Sequence, residues 1–276
     1  MVRRSLLFTP GNVERRIRKV GELAVKPDTV IFDLEDAVPP NEKDKARAML
    51  GSLLPQVDLG GVEVCVRVNS LRTREGLEDL IALSRWDKVS CVMIPKVESP
   101  AEVLIVHSVS GRNAIPLVET SKGFLRLEDI VRAEGVIGVT WGISDLSFSI
   151  GSSIDALDAN EFIRTAIPLV ASAYGVEAYD TAYLKIEDLD GFKRSCEKAK
   201  ALGYTGKLLI HPNQVEIANR VFSPSEREVE WARKVVLAFE EAMRRGLGAI
   251  RVDDQLVDVV HYKKAKAILE GARRVY

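Results

Sequence analysis

Residues 29–40 read TVIFDLEDAVPP, and this stretch decides the fold. Val30, Ile31 and Phe32 form a continuous apolar run, after which Asp33, Glu35 and Asp36 put three carboxylates into four positions. A strand wetted on one face alternates apolar and polar residues; an uninterrupted run marks a parallel strand covered on both faces. The acids are therefore delivered from inside the protein, at the C-terminal end of a buried strand. Like charges crowded there repel unless a cation neutralises them.

The same signature recurs along the chain. Apolar runs at 5–10 (SLLFTP), 63–69 (EVCVRVN), 91–96 (CVMIPK), 114–119 (AIPLVE), 136–142 (VIGVTWG), 176–180 (VEAYD) and 207–212 (KLLIHP) join 29–34 to make eight predicted strands. Between them lie amphipathic helical patterns such as TREGLEDLIALS and LDGFKRSCEKAKALG, the last stopping at Gly203 as helices often do. Strict alternation of strand and helix predicts a (β/α)8 TIM barrel. The competing open, doubly wound sheet would place a Gly-rich phosphate turn after the first strand, and FTPGNVERR is not GxGxxG. The barrel is assigned to residues 1–222. Residues 223–276 form a C-terminal helical extension: one long helix, a short extended piece and a final helix, read as a lid or an interface element.

Composition narrows the function. The 276 residues are 46% hydrophobic and 29% charged with a net charge of −1, an ordinary soluble globular balance with no basic footprint for nucleic acid. No run approaches the length of a membrane span, and MVRRSLLFTPG is too short in apolar residues for a signal peptide. The three cysteines show no CxxC spacing, so Cys65 and Cys91 read as buried reduced thiols and the chain as cytoplasmic.

In a barrel the strand C-termini carry the active site. Those ends supply Asp33, Glu35, Asp36, Arg67, Asn69, Lys96, Glu119, Asp145, Asp180 and His211, which predicts a charged mouth. Oxygen ligands without a Cys/His cluster suit Mg²⁺, not zinc. Glu119 and Asp145 are the best ligand pair, although either could simply cap the helix that follows. Arg67 reads either as a core ion pair with Asp33 or Glu35 or as a fork for a carboxylate or a developing enolate oxygen. A Schiff-base role for Lys96 is disfavoured, since neighbouring carboxylates raise a lysine pKa.

The segments RSLLFTPGN, VIFDLEDAVPPNEKDKAR, VRVNS, MIPKVES, LVETSKG, GISDLSFSIG, GKLLIHPNQVEIANRVFSPSEREVEWA and QLVDVVHYKKA follow one another through almost the whole chain. Together they resemble the citrate lyase β-subunit-like family of acyl-CoA lyases, which includes citramalyl-, malyl- and citryl-CoA lyases. The resemblance implies a Mg²⁺-dependent barrel assembled as a homotrimer or hexamer. It further implies reversible cleavage of a 3-hydroxyacyl-CoA to acetyl-CoA and a 2-oxo acid. It makes Glu119 and Asp145 the metal ligands, Arg67 the oxyanion-stabilising arginine, and Glu35 and Asp36 their support. Phe8, Lys19, Ile210 and His211 match positions that contact CoA. Asp258, in QLVD, matches the acid/base that reaches the active site of a neighbouring subunit. The chain departs at Val13-Glu14, where the family often has Arg-Pro and the arginine helps hold CoA phosphate; Arg15, Arg16 and Arg18 are the substitutes at hand. Two alternatives use the same site: a class II 2-oxo-acid aldolase without CoA, and a citrate lyase β subunit acting on a carrier-bound acyl group.

Overall fold

The computed structural model describes residues 2–275, without the side chains of 274 and 275. Eight strands, β1 (Ser5–Pro10), β2 (Thr29–Asp33), β3 (Glu63–Arg67), β4 (Cys91–Ile94), β5 (Asn113–Val118), β6 (Gly138–Trp141), β7 (Glu177–Asp180) and β8 (Gly206–Leu209), close into an all-parallel barrel. Closure is made by β1 against β8, with Ser5 opposite Lys207 and Leu7 opposite Leu209. Apart from Asn113 and Glu177, the first residues of their strands, and Phe8 and Pro10, strand residues are buried, as the continuous apolar runs require. The inward set, Leu6, Ile31, Cys65, Cys91, Met93, Ile115, Leu117, Tyr179 and Leu208, fills the barrel as one core cluster. The alternate residues pack outward against the helices. Cys65 and Cys91 are register partners in this core, both buried free thiols.

Helices begin and end where local chemistry dictates. Thr73 caps Arg74–Leu83 by accepting from Gly76 N–H, and Leu189–Leu202 stops at Gly203, whose φ of 101° a side chain would resist. Six of the eight predicted strands run one to three residues past the observed ends, because the last residues peel away from the ladder to form the loops of the mouth.

The residues Arg3–Asn219 form one compact unit, and the chain from Arg220 onward belongs to a second. In the second unit the long helix Glu226–Arg244 starts on a full capping box, Ser225 with Glu228. The extended piece is a two-stranded antiparallel hairpin, β9 (Ala249–Val252) and β10 (Gln255–Asp258), followed by the helix Val259–Val275. Ala232, Val235, Phe239, Val257 and Ala265 make its small core. Among the described residues no helix is long and apolar enough to cross a membrane.

Candidate active site

Parallel pairing sets Asp33 and Arg67 opposite each other as the last residues of β2 and β3. Their side chains meet fork to fork: Arg67 Nε donates to Asp33 Oδ1 at 2.7 Å and Nη2 to Oδ2 at 2.6 Å. The remaining corner, Nη1, lies 3.1 Å from Glu35 Oε2 and 3.6 Å from Asp36 Oδ2. The guanidinium rests on the Phe8 ring, 4.8 Å from its centroid. Burial alone would push the Asp33 carboxyl up, but the Arg67 charge and hydrogen bonds outweigh it and hold the carboxyl below its usual range. The ion-pair reading of Arg67 holds, with Asp33 as its partner, and the guanidinium also lines the cavity at the barrel mouth.

That cavity, ≈ 450 Å³, is lined by the carboxylates Asp33, Asp36, Glu119 and Asp145 and the cations Arg16 and Arg67, over an apolar floor that includes Leu117 and Leu208. Glu119 follows β5 and is buried. Thr120, not Glu119, caps the next helix, its hydroxyl accepting from Gly123 N–H at 3.0 Å. Glu119 Oε1 accepts from Lys96 N–H at 2.8 Å. Space for Oε2 exists because residue 142 is glycine; a Cβ there would collide with it. Asp145 lies in the first turn of the helix Ile143–Ile150, where a carboxylate suits the helix dipole. Burial, then the charge of Glu35, with a further push from Asp145, raises the Glu119 carboxyl to about 8. Glu35 is also raised, by burial, against the pull of Arg67 and Lys96.

Two carboxylates facing one cavity, their repulsion only partly offset by Lys96 and Arg67, fit a divalent cation. Among the described residues no group of three or more His, Cys, Asp or Glu converges as a cation site. Two protein carboxylates completed by water and substrate oxygens is the coordination habit of Mg²⁺. The donor set is oxygen only, which disfavours zinc.

A second cavity, ≈ 350 Å³, adjoins the first and shares Phe8, Pro10, Arg16 and Ile210 with it. Arg15, Arg16, Lys19 and His211 line it and no carboxylate does. All four positions expected to contact CoA, Phe8, Lys19, Ile210 and His211, meet here. Gln214 Oε1 holds the Ile210 N–H at 3.0 Å, while His211 Nδ1 accepts from Asn213 N–H at 3.3 Å. Arg15 and Arg16 stand on the helix Glu14–Lys19 just beyond Val13-Glu14, so positive charge is present although the arginine at position 13 is not.

Two strand ends do not join the mouth. Asp180 follows the inward-facing Tyr179 and so points outward, into a fully buried network. There it accepts from Trp141 Nε1 at 3.1 Å and Arg164 Nη2 at 2.9 Å and pairs with Lys207. Asn69 is spent on the Leu34 carbonyl and on Asp79. Asp258, last residue of β10, belongs to the second unit. Its Oδ1 accepts from Val260 N–H at 3.0 Å and His261 N–H at 3.2 Å and lies 2.7 Å from His261 Nδ1, contacts that hold its carboxyl below the usual range. The residues that sequence reasoning underrated are Asp33, Lys96 and Arg16. Asp33 could have been found by noting that it and Arg67 both end adjacent strands; Arg16 needed the cavity's shape.

Residues 4–212 match the HpcH/HpaI aldolase/citrate lyase family. The chain belongs to that family. By class it is a carbon–carbon lyase. It is 38% identical to a (3S)-malyl-CoA thioesterase of Cereibacter sphaeroides, over 99% of this chain and 95% of that one. It is 35% identical to the mitochondrial citramalyl-CoA lyase of Homo sapiens, over 96% and 84%. Among solved structures, CitE from Mycobacterium tuberculosis in complex with magnesium, acetoacetate and coenzyme A superposes with a TM-score of 0.80, at 31% identity, covering 98% of this chain and 97% of that one. The barrel fold and the citrate-lyase-β-like membership expected from the motifs are both borne out.

Proposed function

We propose that this chain is a Mg²⁺-dependent acyl-CoA lyase that reversibly splits a 3-hydroxyacyl-CoA bearing a carboxylate into acetyl-CoA and a 2-oxo acid. The observation that carries this is the pairing of an acidic, ligand-bearing cavity with a carboxylate-free basic one, joined at Phe8, Pro10, Arg16 and Ile210. The basic cavity suits the phosphates and pantetheine arm of CoA, and the solved neighbour holds magnesium together with CoA. A free-acid aldolase would have no use for the second cavity.

Glu119 and Asp145 would hold Mg²⁺, and the bound cation would supply Lewis-acid polarisation of a substrate oxygen. Arg67 supplies fixed positive charge to the thioester oxygen as the enolate develops. Because Asp33 already holds its fork, that charge needs no reorientation during the reaction. Glu35 and Asp36 hold the free corner of the guanidinium. Asp258 gives the proton to the enolate carbon in cleavage and removes it in condensation. It acts on a neighbouring chain of a homotrimer or hexamer, the tail serving as the lid.

The test is cleavage of malyl-, citramalyl- and citryl-CoA with and without Mg²⁺, separating acetyl-CoA plus 2-oxo acid from free CoA plus hydroxy acid. Mg²⁺-dependent release of a 2-oxo acid is the expected result, and Asp258→Ala should lower kcat by about 10²–10⁴-fold. Free CoA instead would favour hydrolysis of the thioester, the second reading, which the similarity to a malyl-CoA thioesterase supports. No turnover of any CoA ester by folded protein would point to a carrier-bound substrate. Subunit sharing has its own signature. Mixing and re-associating Asp258→Ala with Glu119→Gln should restore activity that neither variant has alone; no recovery, despite exchange of subunits, would sink it.

A further inference from the structure

Lys96, in MIPKVES, has no part in the chemistry so far, yet it touches four of the acids, Glu35, Asp36, Asp145 and Glu119. Its Nζ lies 2.5 Å from Glu35 Oε1, 3.5 Å from Asp36 Oδ1 and 3.8 Å from Asp145 Oδ1. Its backbone N–H holds Glu119 Oε1 at 2.8 Å. Its carbonyl accepts from Arg72 Nη2 at 2.8 Å, and Arg72 is itself paired with Glu98 at 2.5 Å. The backbone at Lys96 is left-handed, φ 50°, a conformation that a residue with a side chain adopts at a cost. Three sets of bonds hold it there: N–H to one ligand, carbonyl to the Arg72 pair, ammonium to the supporting acids.

The charge count explains what such a residue does. Asp33, Glu35, Asp36, Glu119 and Asp145 are opposed by Arg67, whose fork is committed to Asp33, and by Lys43, whose ammonium is bonded to the Leu34 and Glu35 carbonyls. Arg16 at the cavity wall and Lys96, the cation that reaches Asp145, oppose them as well. The ammonium therefore stands in the same field that would draw a divalent cation to Glu119 and Asp145, beside one ligand and anchored to the other. Lys96 is not among the residues that line the mouth cavity, which places its effect on the acids that do.

Resting on the metal reading above, we infer that Lys96 is a positioning residue that sets the site's divalent-cation affinity, holding it down by charge while fixing the ligand pair through its left-handed backbone. Removing the ammonium leaves the acids with one positive charge fewer and the cation with one repulsion fewer. The repulsion between an ammonium and a divalent cation a few ångströms apart is large enough, even in a water-like dielectric, that its loss tightens the metal by about tenfold or more.

The experiment is calorimetric titration of the metal-free protein with Mg²⁺ alone, on wild type, Lys96→Met and Lys96→Arg, with thermal melting alongside. Lys96→Met should bind Mg²⁺ about tenfold tighter than wild type, melt lower without metal, and regain more stability on adding it. Lys96→Arg should keep the wild-type affinity to within about threefold, since it restores the charge. Unchanged or weaker binding in folded Lys96→Met overturns the inference while leaving the metal reading intact, because a residue that merely braces the ligands can only lose affinity when removed. Should Lys96→Met fail to fold, Lys96→Gln is read by the same criterion. Absence of Mg²⁺ binding by wild type would overturn both.

Discussion

The two cavities at the barrel mouth share four residues and differ in sign. One carries Asp33, Asp36, Glu119 and Asp145 against Arg16 and Arg67; the other carries Arg15, Arg16, Lys19 and His211 against no acid. The acids come from strand ends and the helix start after β6, rigid positions that hold like charges close. Arg15, Arg16 and Lys19 come from the short exposed helix Glu14–Lys19, whose flexible side chains can follow a polyanion, and His211 from the segment after β8. The contrast teaches a division of labour. On the proposed function, buried and pre-oriented charge would act on the small reacting group, while exposed mobile charge would hold the long handle that carries it.

The largest expected break of this contrast is on the acidic side. Glu119→Gln removes a ligand charge, and should abolish Mg²⁺ binding in calorimetry and lower kcat by about 10³-fold or more. If activity survives, the acidic cavity is not the metal site.

The next effect is on pH. Because the Glu119 carboxyl is raised to about 8, it stays protonated in the folded, metal-free protein at pH values where the unfolded chain has lost that proton. Its contribution to stability is therefore greatest in acid, falls as pH rises toward about 8, and is level above that. Glu35 and Asp79 act in the same direction, and Asp33, whose carboxyl is lowered, in the opposite one. The metal-free protein should melt lower at pH 8 than at pH 6, with Mg²⁺ raising the melting temperature more at pH 8 than at pH 6. Mg²⁺ must displace the Glu119 proton below about 8, so binding measured in buffers of different ionisation enthalpy should release protons. Proton-independent binding at pH 7 would remove the burial argument.

The smallest effect belongs to the basic cavity. Lys19→Ala should raise KM for the CoA thioester by about tenfold, more at low salt than at high, and leave kcat nearly unchanged. A fall in kcat with KM constant would mean that the two cavities are not separable in function.

Much of this was legible in the chain. Continuous apolar runs alternating with helical patterns are enough for a barrel, because only a strand covered on both faces tolerates them. The list of charged strand ends followed from the same runs. Their convergence followed only in part: Asp180 reads like Asp33 in sequence, yet it follows the inward-facing Tyr179 and joins Arg164 and Lys207 outside the barrel. A one-residue difference in where the strand leaves the ladder reverses the face to which a side chain points, and apolar pattern does not resolve one residue. The hairpin in the tail reads only as one short extended piece, because its strands are four residues each and the turn between them, Asp253-Asp254, lacks the glycine that marks a tight hairpin.

By itself the sequence determined the architecture, the family and the inventory of charged groups, because burial pattern and motif order are written residue by residue. Only the tertiary structure decided which charges meet. Asp33 is committed to Arg67, Lys96 ties Glu35 to Glu119 and Asp145, and Arg16 stands where the two cavities join. These pairings span separations of up to 61 residues, as between Glu35 and Lys96. They depend on register and barrel closure, which arise from packing the whole chain and from no local stretch of it.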